Sequence, residues 1–510
     1  MRLLQSIDYV AIAPILAAAA GVVAVLVADV VLPMRRRPAV LWVGVAGAAA
    51  SVAASIALVG RTRGTFCTPA TTLPGSVHVG QSCSYVVDRF TVFLLVVISA
   101  AALVVLVASA GVVETNPGRG PQEFPQPPGE YTLLVLASLT GALTLVGARD
   151  LITLVVGLET LTLPTYILVG LRRRDRRSAE AALKFLLVSV TASAVMLLGM
   201  ALVYGLTGTV HLDRIAAALA ARADVGSLPL VNAAIVLVLA GFGFKITLVP
   251  FHWWAPDVYQ GAPVPVAAYL ATVSKAAGVA GLLLIVVIAF PAYGDVWGPA
   301  IAVLAAASMT LGNLVALRQR DAVRLLAWSS IAHAGYLLAP LGIALTARGR
   351  ASLDVAVSAT LGYLALYVAM NLGAFCCLAA AGRTSVEQLR GLAATNPWLA
   401  AAFGFFLVCL AGLPPGLAGL VAKVVVFRAT LVGGLGWLAV VMAVNTVIGL
   451  AYYLRVAAAL FRAPGPREPG AARTGGARLV PSVAVAVGVA VVVTVALGFA
   501  PQFALGAAVP

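Results

Sequence analysis

Long apolar runs occupy most of the chain, and charged residues lie mainly between them. A run of about 18 or more residues is long enough to cross a hydrocarbon core about 30 Å thick as a helix. The pattern therefore predicts an all-α integral membrane protein with about 14 transmembrane helices. The predicted spans are residues 10–33, 39–60, 90–113, 131–148, 150–171, 184–207, 231–253, 264–290, 298–317, 322–346, 355–381, 399–428, 435–461 and 481–503.

Composition agrees with this pattern and excludes a soluble enzyme. The 510 residues are 62% hydrophobic and 10% charged, with a mean hydropathy of +1.04, which lies far outside the range of soluble domains. The net charge of +15 does not indicate nucleic-acid binding, because the arginines lie in short loops beside the spans, where membrane topology explains them. The first span is too long for a cleavable signal segment and is interpreted as retained.

The distribution of basic residues predicts an orientation in the cell's inner (plasma) membrane. With both termini outside, the alternate loops that include residues 35–37 and 172–177 carry about 18 Lys and Arg, and the other loops about 9. Both termini are therefore predicted on the outer side, with Cys67 and Cys83 in one external loop. An oxidising compartment permits a disulfide there, but the sequence leaves its formation open.

The remaining cysteines and the motifs give no sign of a cofactor site. Cys376, Cys377 and Cys409 lie within apolar spans and are interpreted as small buried residues. The sequence has no CxxC motif, no Cys/His cluster and no glycine-rich phosphate loop. Any redox groups that serve this chain are therefore expected in other proteins.

Lysine is used differently from arginine in this chain. Of 33 basic residues, 29 are arginine, and the four lysines all lie in or at the edge of apolar spans. Arginine stays protonated in proteins, whereas a desolvated lysine ammonium can release its proton. Lys184 opens a span four residues after Glu180, so we interpret it as an interfacial lysine that pairs on one helix face. Lys245, Lys275 and Lys423 lie deeper, where a charge costs about 2.5–3.5 kcal/mol, and are predicted to be functional.

Two other titratable residues lie within predicted spans. Glu159 is near the middle of its span, unlike the other carboxylates, and a mid-membrane Glu/Lys pair would act as a proton switch. The alternative for Glu159 is a carboxyl group satisfied by a hydrogen bond between helices. His333 is predicted either as a proton relay between half-channels or as a buried neutral residue that only makes hydrogen bonds.

Prolines predict that two spans are broken beside these lysines. Pro250 follows Lys245 by five residues, and Pro414 and Pro415 precede Lys423 by about two turns. Proline leaves carbonyls free, which a membrane tolerates only where protein or water satisfies them. The broken spans occupy corresponding places in two five-helix units, and five is odd, so the second unit is expected to be inverted. The predicted organisation is a three-helix segment at 1–113, units at 131–290 and 298–461, and an internal loop with the last helix at 462–510.

Four stretches resemble the antiporter-like membrane subunits of the proton-pumping NADH–quinone oxidoreductase, respiratory complex I. They are FHWWAPDVYQGAPVPVAAYLATVSKAAG (251–278), GLETLTLPTYIL (157–168), RLLAWSSIAHAGYLL (324–338) and LAGLPPGLAGLVAKVVVF (410–427). The resemblance covers residues 90 to 465 and is closest to the subunit N family.

The resemblance implies fourteen helices, two inverted five-helix repeats that each form a half-channel, and a line of charged residues along the membrane plane. The family's glutamate in the fifth helix falls on Glu159, and its lysines in the broken seventh, the eighth and the broken twelfth helices fall on Lys245, Lys275 and Lys423. Many relatives have a carboxylate where this chain has Gln260, so no acid role is assigned there. Loops 61–89 and 117–130 lie outside the motifs.

The resemblance also implies partners and cofactors. Other membrane-arm subunits, including other antiporter-like subunits, and the lipid bilayer are the expected partners, and nucleic acid is not. This chain would hold no cofactor, while quinone, NADH, FMN and iron–sulfur clusters would belong to partner subunits.

The predicted function is that of a proton-translocating subunit of NADH:quinone oxidoreductase. In this hypothesis, quinone reduction in neighbouring subunits alters the pairing of Glu159 and Lys245. The released proton then passes through Lys275, with His333 as a further relay, to Lys423 and the outside. One alternative is a subunit of a cation/proton antiporter, although a cation site would be expected to use several carboxylates or unwound carbonyls, and only Glu159 lies deep. Another is a structural spacer, which the three mid-span lysines count against.

Overall fold

The chain folds into a bundle of long helices with a small β-structure at one end. The structure is a computed structural model, and it describes residues 7–33, 36, 38–73, 77–113, 128–172, 175–221, 229–463 and 480–506. The helices are α1 (Ala13–Val31), α2 (Ala39–Ala57), α3 (Arg89–Val113), α4 (Pro128–Gly147), α5 (Leu151–Val169), α6 (Arg176–Thr207), α7 (Leu212–Ala220), α8 (Pro229–Ile246), α9 (Trp254–Gly261), α10 (Val264–Tyr269), α11 (Lys275–Leu283), α12 (Gly294–Ala316), α13 (Ala322–Leu338), α14 (Ala347–Arg350), α15 (Leu353–Ala381), α16 (Leu392–Thr395), α17 (Pro397–Ala411), α18 (Leu417–Val432), α19 (Gly436–Phe461), α20 (Pro481–Phe499) and α21 (Gln502–Leu505). Most of the predicted loop 117–130 and most of the loop that precedes the last helix lie outside the described residues.

Within the described ranges, thirteen helical segments of 18 residues or more are apolar enough to cross a membrane. The span predicted over 399–428 as one segment is instead two helices, α17 with 15 residues and α18 with 16. Neither is long enough alone for a crossing of about 20 residues. Together, these two helices form the predicted broken span. The predicted membrane fold is confirmed.

Local polar residues set several helix ends. The carboxylates of Asp150 and Asp321 accept hydrogen bonds from the backbone N–H groups of Thr153 and Arg324, at 2.7 and 2.9 Å, and so cap the N-termini of α5 and α13. Asp175 caps α6 in the same way, which explains why this helix begins at residue 176 and not at the predicted 184. Gly208 ends α6 with a φ of +71°, a conformation in which glycine has no Cβ penalty.

The bundle has central and peripheral helices. Nearly all of the segment that begins with α13 is buried, and most of α15 and of the segment Val264–Ala289 is buried as well. By contrast, most of α1 and α6 is not covered by other parts of the chain. Polar side chains on the central helices are therefore held away from lipid.

A disulfide-bonded hairpin covers one end of the bundle. It is formed by β1 (Arg63–Thr68), β2 (Thr71–Leu73), β3 (Val77–Val79) and β4 (Ser82–Val87), in which β1 pairs with β4 and β2 with β3, both antiparallel. Cys67 lies opposite Cys83 in the β1–β4 register, and the two form a disulfide. Arg214 of α7 holds the hairpin by donating to Ser82 Oγ at 2.9 Å and to the Pro69 carbonyl at 2.8 Å. The disulfide that the sequence left open is therefore present in the structure.

Both predicted helix breaks are present. Residues 247–253 separate α8 from α9, and Thr247 has a φ of +68°, which is uncommon for a β-branched residue. Residues 412–416 separate α17 from α18, and Gly412 has a φ of +81°. A Cβ on Gly419 would lie 1.6 Å from the carbonyl oxygen of Cys409, so only glycine lets α18 pack this closely on the last turn of α17.

Candidate functional site

Glu159 and Lys245 each bind a different hydroxyl group. The Lys245 ammonium donates to Thr162 Oγ1 at 2.6 Å, and Glu159 Oε1 accepts from Ser193 Oγ at 2.6 Å. Thr162 lies one turn after Glu159 on α5. Among the described residues no direct ion pair joins Glu159 to Lys245.

A small cavity lies beside this pair. Its volume is about 10 Å³, which is the size that one water molecule requires. Ser189, Ser193 and Lys245 provide its polar lining. The hydroxyl that binds Glu159 and the lysine therefore border the same space.

Lys275 is held between the first helix break and α13. Its ammonium donates to Thr247 Oγ1 at 3.0 Å and to both the carbonyl oxygen and the hydroxyl of Ser330 at 2.6 Å. A lysine ammonium has three N–H donors, so these three oxygens satisfy it completely. The left-handed conformation of Thr247 places one of these acceptors in the break itself.

Tyrosine side chains surround His333, and the hydroxyl of one of them, Tyr367, also binds Ser330 next to Lys275. Ser330 Oγ lies 2.7 Å from the hydroxyl of Tyr367, whose ring centroid lies 5.3 Å from that of His333. His333 Nδ1 is 2.6 Å from the hydroxyl of Tyr363, and Nε2 is 3.0 Å from that of Tyr453. Each hydroxyl can both accept and donate a proton. Both nitrogens of His333 are thus satisfied, as either of its predicted roles requires.

Lys423 lies at the second helix break. Its ammonium donates at 2.6 Å to the carbonyl oxygen of Ala411, the last residue of α17, and lies 5.4 Å from the ring centroid of Tyr336. The Tyr336 ring stacks at 6.5 Å on Tyr363, which binds His333. The carbonyl of Ala411, which is left without a helical partner at the break, therefore accepts a hydrogen bond from Lys423.

The four deep titratable side chains are buried to similar extents. Lys245, Lys275, His333 and Lys423 expose 4%, 1%, 3% and 7% of their surfaces, and Glu159 is partly buried. The predicted residues thus lie on helices from α5 to α18, and Lys275 and His333 lie at the centre of the bundle. Their roles in proton transfer stay predictions.

The sequence analysis missed the residues that connect these groups. They are Thr162, Ser193, Thr247, Ser330, Tyr336, Tyr363, Tyr367 and Tyr453. A signal was available for some of them, because Tyr363 and Tyr367 are four apart on α15 and Ser330 and His333 are three apart on α13. Polar groups with this spacing share one helix face within an apolar span.

Charged residues form a second cluster where α6, α9 and α13 meet. Lys184 contacts Glu180 at 2.7 Å, as predicted, and also Asp257 at 3.0 Å. Arg324 contacts Asp257 at 2.6 Å and donates to the Gln260 amide oxygen at 3.2 Å. Gln260 is therefore a hydrogen-bond acceptor in a charged cluster, which links helices of the two predicted units.

The arrangement contains no recognisable metal centre in the parts of the chain described here, because no three His, Cys, Asp or Glu residues are grouped to hold an ion. The site consists of titratable groups joined by hydroxyls within broken helices. This is the chemistry of a proton path through a membrane protein.

Comparison with known proteins identifies the class. Residues 148–449 match the sequence model of the NADH:quinone oxidoreductase/Mrp antiporter transmembrane family, and the chain belongs to that family. Within it, curated relatives include NADH-quinone oxidoreductase subunit N 2 of Streptomyces griseus, 49% identical over 90% of this chain and 84% of the relative. Subunit N of Salinispora tropica is 46% identical over 91% of this chain and 87% of its own. The chain is accordingly a member of the subunit N group.

Solved structures agree with this assignment. A chain of respiratory complex I from Thermus thermophilus, solved with bound aureothin, has a TM-score of 0.75 and 33% identity, covering 97% of this chain and 98% of that one. A chain of the Mrp complex from Dietzia sp. DQ12-45-1b has a TM-score of 0.80 and 24% identity, covering 98% of this chain and 96% of that one, and shows the shared fold alone.

Proposed function

We propose that this chain is a membrane-arm subunit of NADH:quinone oxidoreductase that translocates protons, while redox chemistry takes place in partner subunits. The observation that carries the proposal is the hydrogen-bonded line from Lys275 through Ser330 to Tyr367, whose ring packs against that of His333. Buried lysines also lie at both helix breaks. A structural subunit would not need several buried lysines of this kind.

The first step of the proposed mechanism takes place at Glu159 and Lys245. A change in charge that arrives from neighbouring subunits moves the Glu159 carboxylate relative to the Lys245 ammonium. Loss of a counter-charge favours release of the ammonium proton. The cavity beside Ser193 provides a place for a water molecule that accepts this proton.

Later steps use the central helices. The proton reaches Lys275, which releases it to the hydroxyls of Ser330 and Tyr367. His333 passes it towards Lys423, from which it leaves to the outside. Each transfer moves one proton between oxygen or nitrogen atoms, and no covalent bond to carbon changes.

The orientation and the repeats form part of the proposal. We place the chain in the inner (plasma) membrane with both termini outside, and the disulfide supports an oxidising compartment at the hairpin end. The two helix breaks support the inverted units at 131–290 and 298–461, because transporters of this kind carry discontinuous helices in corresponding positions.

Lysine-to-arginine substitution tests the proposal. Arginine keeps the positive charge but does not release its proton in proteins. In inside-out membrane vesicles, Lys245→Arg, Lys275→Arg and Lys423→Arg should abolish NADH-driven proton uptake, and the corresponding Lys→Gln variants should also fail. Native electrophoresis with an in-gel NADH oxidation stain checks that each variant is assembled.

Lys184→Arg is the matched control, because Lys184 is exposed and its contacts with Glu180 and Asp257 need only a positive charge. Wild-type proton uptake per NADH oxidised in all three buried variants would contradict the proposal. If the tagged chain instead ran in a small complex without NADH oxidation and supported cation-dependent proton flux, the antiporter alternative would replace it.

A further inference from the structure

An apolar groove of about 820 Å³ lies on the outside of the bundle between α3, α15 and α20. Its walls are mainly valine and alanine side chains, including Val92, Val104, Ala369 and Val493. None of the lysines of the proposed proton path lines it. The groove is therefore separate from the proposed proton path.

Two arginines stand at one end of the groove. Arg61 and Arg89 border it beside the two ends of the disulfide-bonded hairpin, and both side chains are exposed. Asp88 does not neutralise Arg89, because its carboxylate binds Arg149 at 2.6 Å and the Thr91 backbone N–H at 2.8 Å. In the described part of the chain, neither Arg61 nor Arg89 forms an ion pair.

The length of the groove corresponds to one leaflet of a bilayer. Its apolar lining on α3 runs from Val92 to Val104, which at a rise of 1.5 Å per residue is about 18 Å. Half of a hydrocarbon core that is about 30 Å thick measures about 15 Å. A transmembrane helix of a partner would cross the whole core, whereas this groove accommodates a molecule from one leaflet.

We propose that this groove binds an anionic phospholipid, with its acyl chains against α3, α15 and α20 and its phosphate between Arg61 and Arg89. Guanidinium groups bind phosphate through paired, charge-assisted hydrogen bonds. The apolar walls and the one-leaflet length of the groove match the acyl chains of such a lipid. The two arginines at its end match the phosphate. The bound lipid would attach the hairpin end of the bundle to the adjoining leaflet.

Photo-crosslinking in membranes that contain the assembled chain tests this inference. The probes are phosphatidylglycerol and phosphatidylcholine that carry a photoreactive diazirine in one acyl chain. The phosphatidylglycerol probe should label peptides of α3 and α20 more strongly than the phosphatidylcholine probe does. Each of Arg61→Gln and Arg89→Gln should lower this labelling about fivefold, the contribution of one basic residue near an anionic lipid surface.

Two controls separate lipid binding from a general loss of charge or of assembly. Arg348→Gln removes another exposed arginine just before α15, outside the groove, and should leave labelling unchanged. Arg89→Lys keeps a positive charge and should retain most of it. Equal labelling by the two probes, or unchanged labelling in an Arg61→Gln/Arg89→Gln double variant, would overturn the proposal. A photoreactive amino acid at Ala369 that crosslinks to a neighbouring subunit would also overturn it.

Discussion

Removal of one oxygen atom at Ser330 should interrupt the proposed proton path. The Ser330 hydroxyl is 2.6 Å from the Lys275 ammonium and 2.7 Å from the Tyr367 hydroxyl, so it is the shared partner of both. Ser330→Ala leaves the backbone carbonyl of residue 330 in place but removes this hydroxyl. Lys275 then keeps two of its three acceptors, and the Tyr367 hydroxyl loses its hydrogen-bonded link to the lysine.

The structure allows an estimate of the size of the effect. A hydrogen bond to a charged group contributes about 1.5–3 kcal/mol, and about 1.4 kcal/mol in a barrier changes a rate tenfold. Ser330→Ala should therefore slow NADH-driven proton uptake roughly 10- to 100-fold. Ser330→Thr keeps a hydroxyl and should recover part of the rate.

The assay is dye-monitored proton uptake in inside-out vesicles, normalised to the amount of assembled complex. Ser99→Ala is the matched control, because the Ser99 hydroxyl is also buried but donates only within its own helix, to the carbonyls of Leu95 and Val96. If Ser330→Ala and Ser99→Ala both pumped like the wild type, the hydroxyl line between Lys275 and Tyr367 would not carry the proton.

Three further predictions concern the stability of the protein in detergent. The cysteines of the hairpin disulfide are 16 residues apart, so its reduction should lower the free energy of unfolding by about 3 kcal/mol. The measurement is the midpoint of thermal unfolding, which should fall on reduction and fall equally in a double variant with both cysteines replaced by serine. Gly419→Ala should prevent assembly or lower that midpoint sharply, because of the clash with the α17 carbonyl, whereas Gly488→Ala, with open space around it, should not. The hydrogen bond from Arg63 holds the pKa of the Asp8 carboxyl below its ordinary value. The stabilisation from this bond is therefore present above about pH 4 and is lost as the pH falls through the lowered pKa of Asp8. The thermal unfolding midpoints of Asp8→Asn and of the wild type should therefore converge in acid. A difference between the two midpoints that stays the same at every pH would contradict this.

The sequence predicted the features that interrupt an apolar run. Lys245, Lys275 and Lys423 are conspicuous because a charge in a span is costly, and the helix breaks follow from prolines within spans. Both kinds of signal are local, so they can be read without knowledge of the packing. The bounds of spans were less accurate, as in α6, where charged residues belong to the first turn of the helix.

The connecting residues could not be predicted in this way. Tyr453 lies 120 residues from His333, and Tyr367 lies 37 residues from Ser330. A tyrosine in an apolar span is compatible with ordinary packing, and only the fold shows which hydroxyl meets which partner. The hydrogen bonds of Glu159 to Ser193 and of Lys245 to Thr162 also depend on the exact placement of three helices.

The hydrogen bond between Lys423 and the end of α17 has a consequence for the order of events in a transport cycle. The carboxyl-terminal end of a helix carries about half a negative charge, so the backbone itself is the counter-charge of Lys423. Glu159 can change its position by rotation of a side chain alone, whereas moving the end of α17 requires a collective movement of helices, which takes microseconds to milliseconds. We therefore expect the slow event of a transport cycle to occur at the break between α17 and α18, with the Glu159 end responding first.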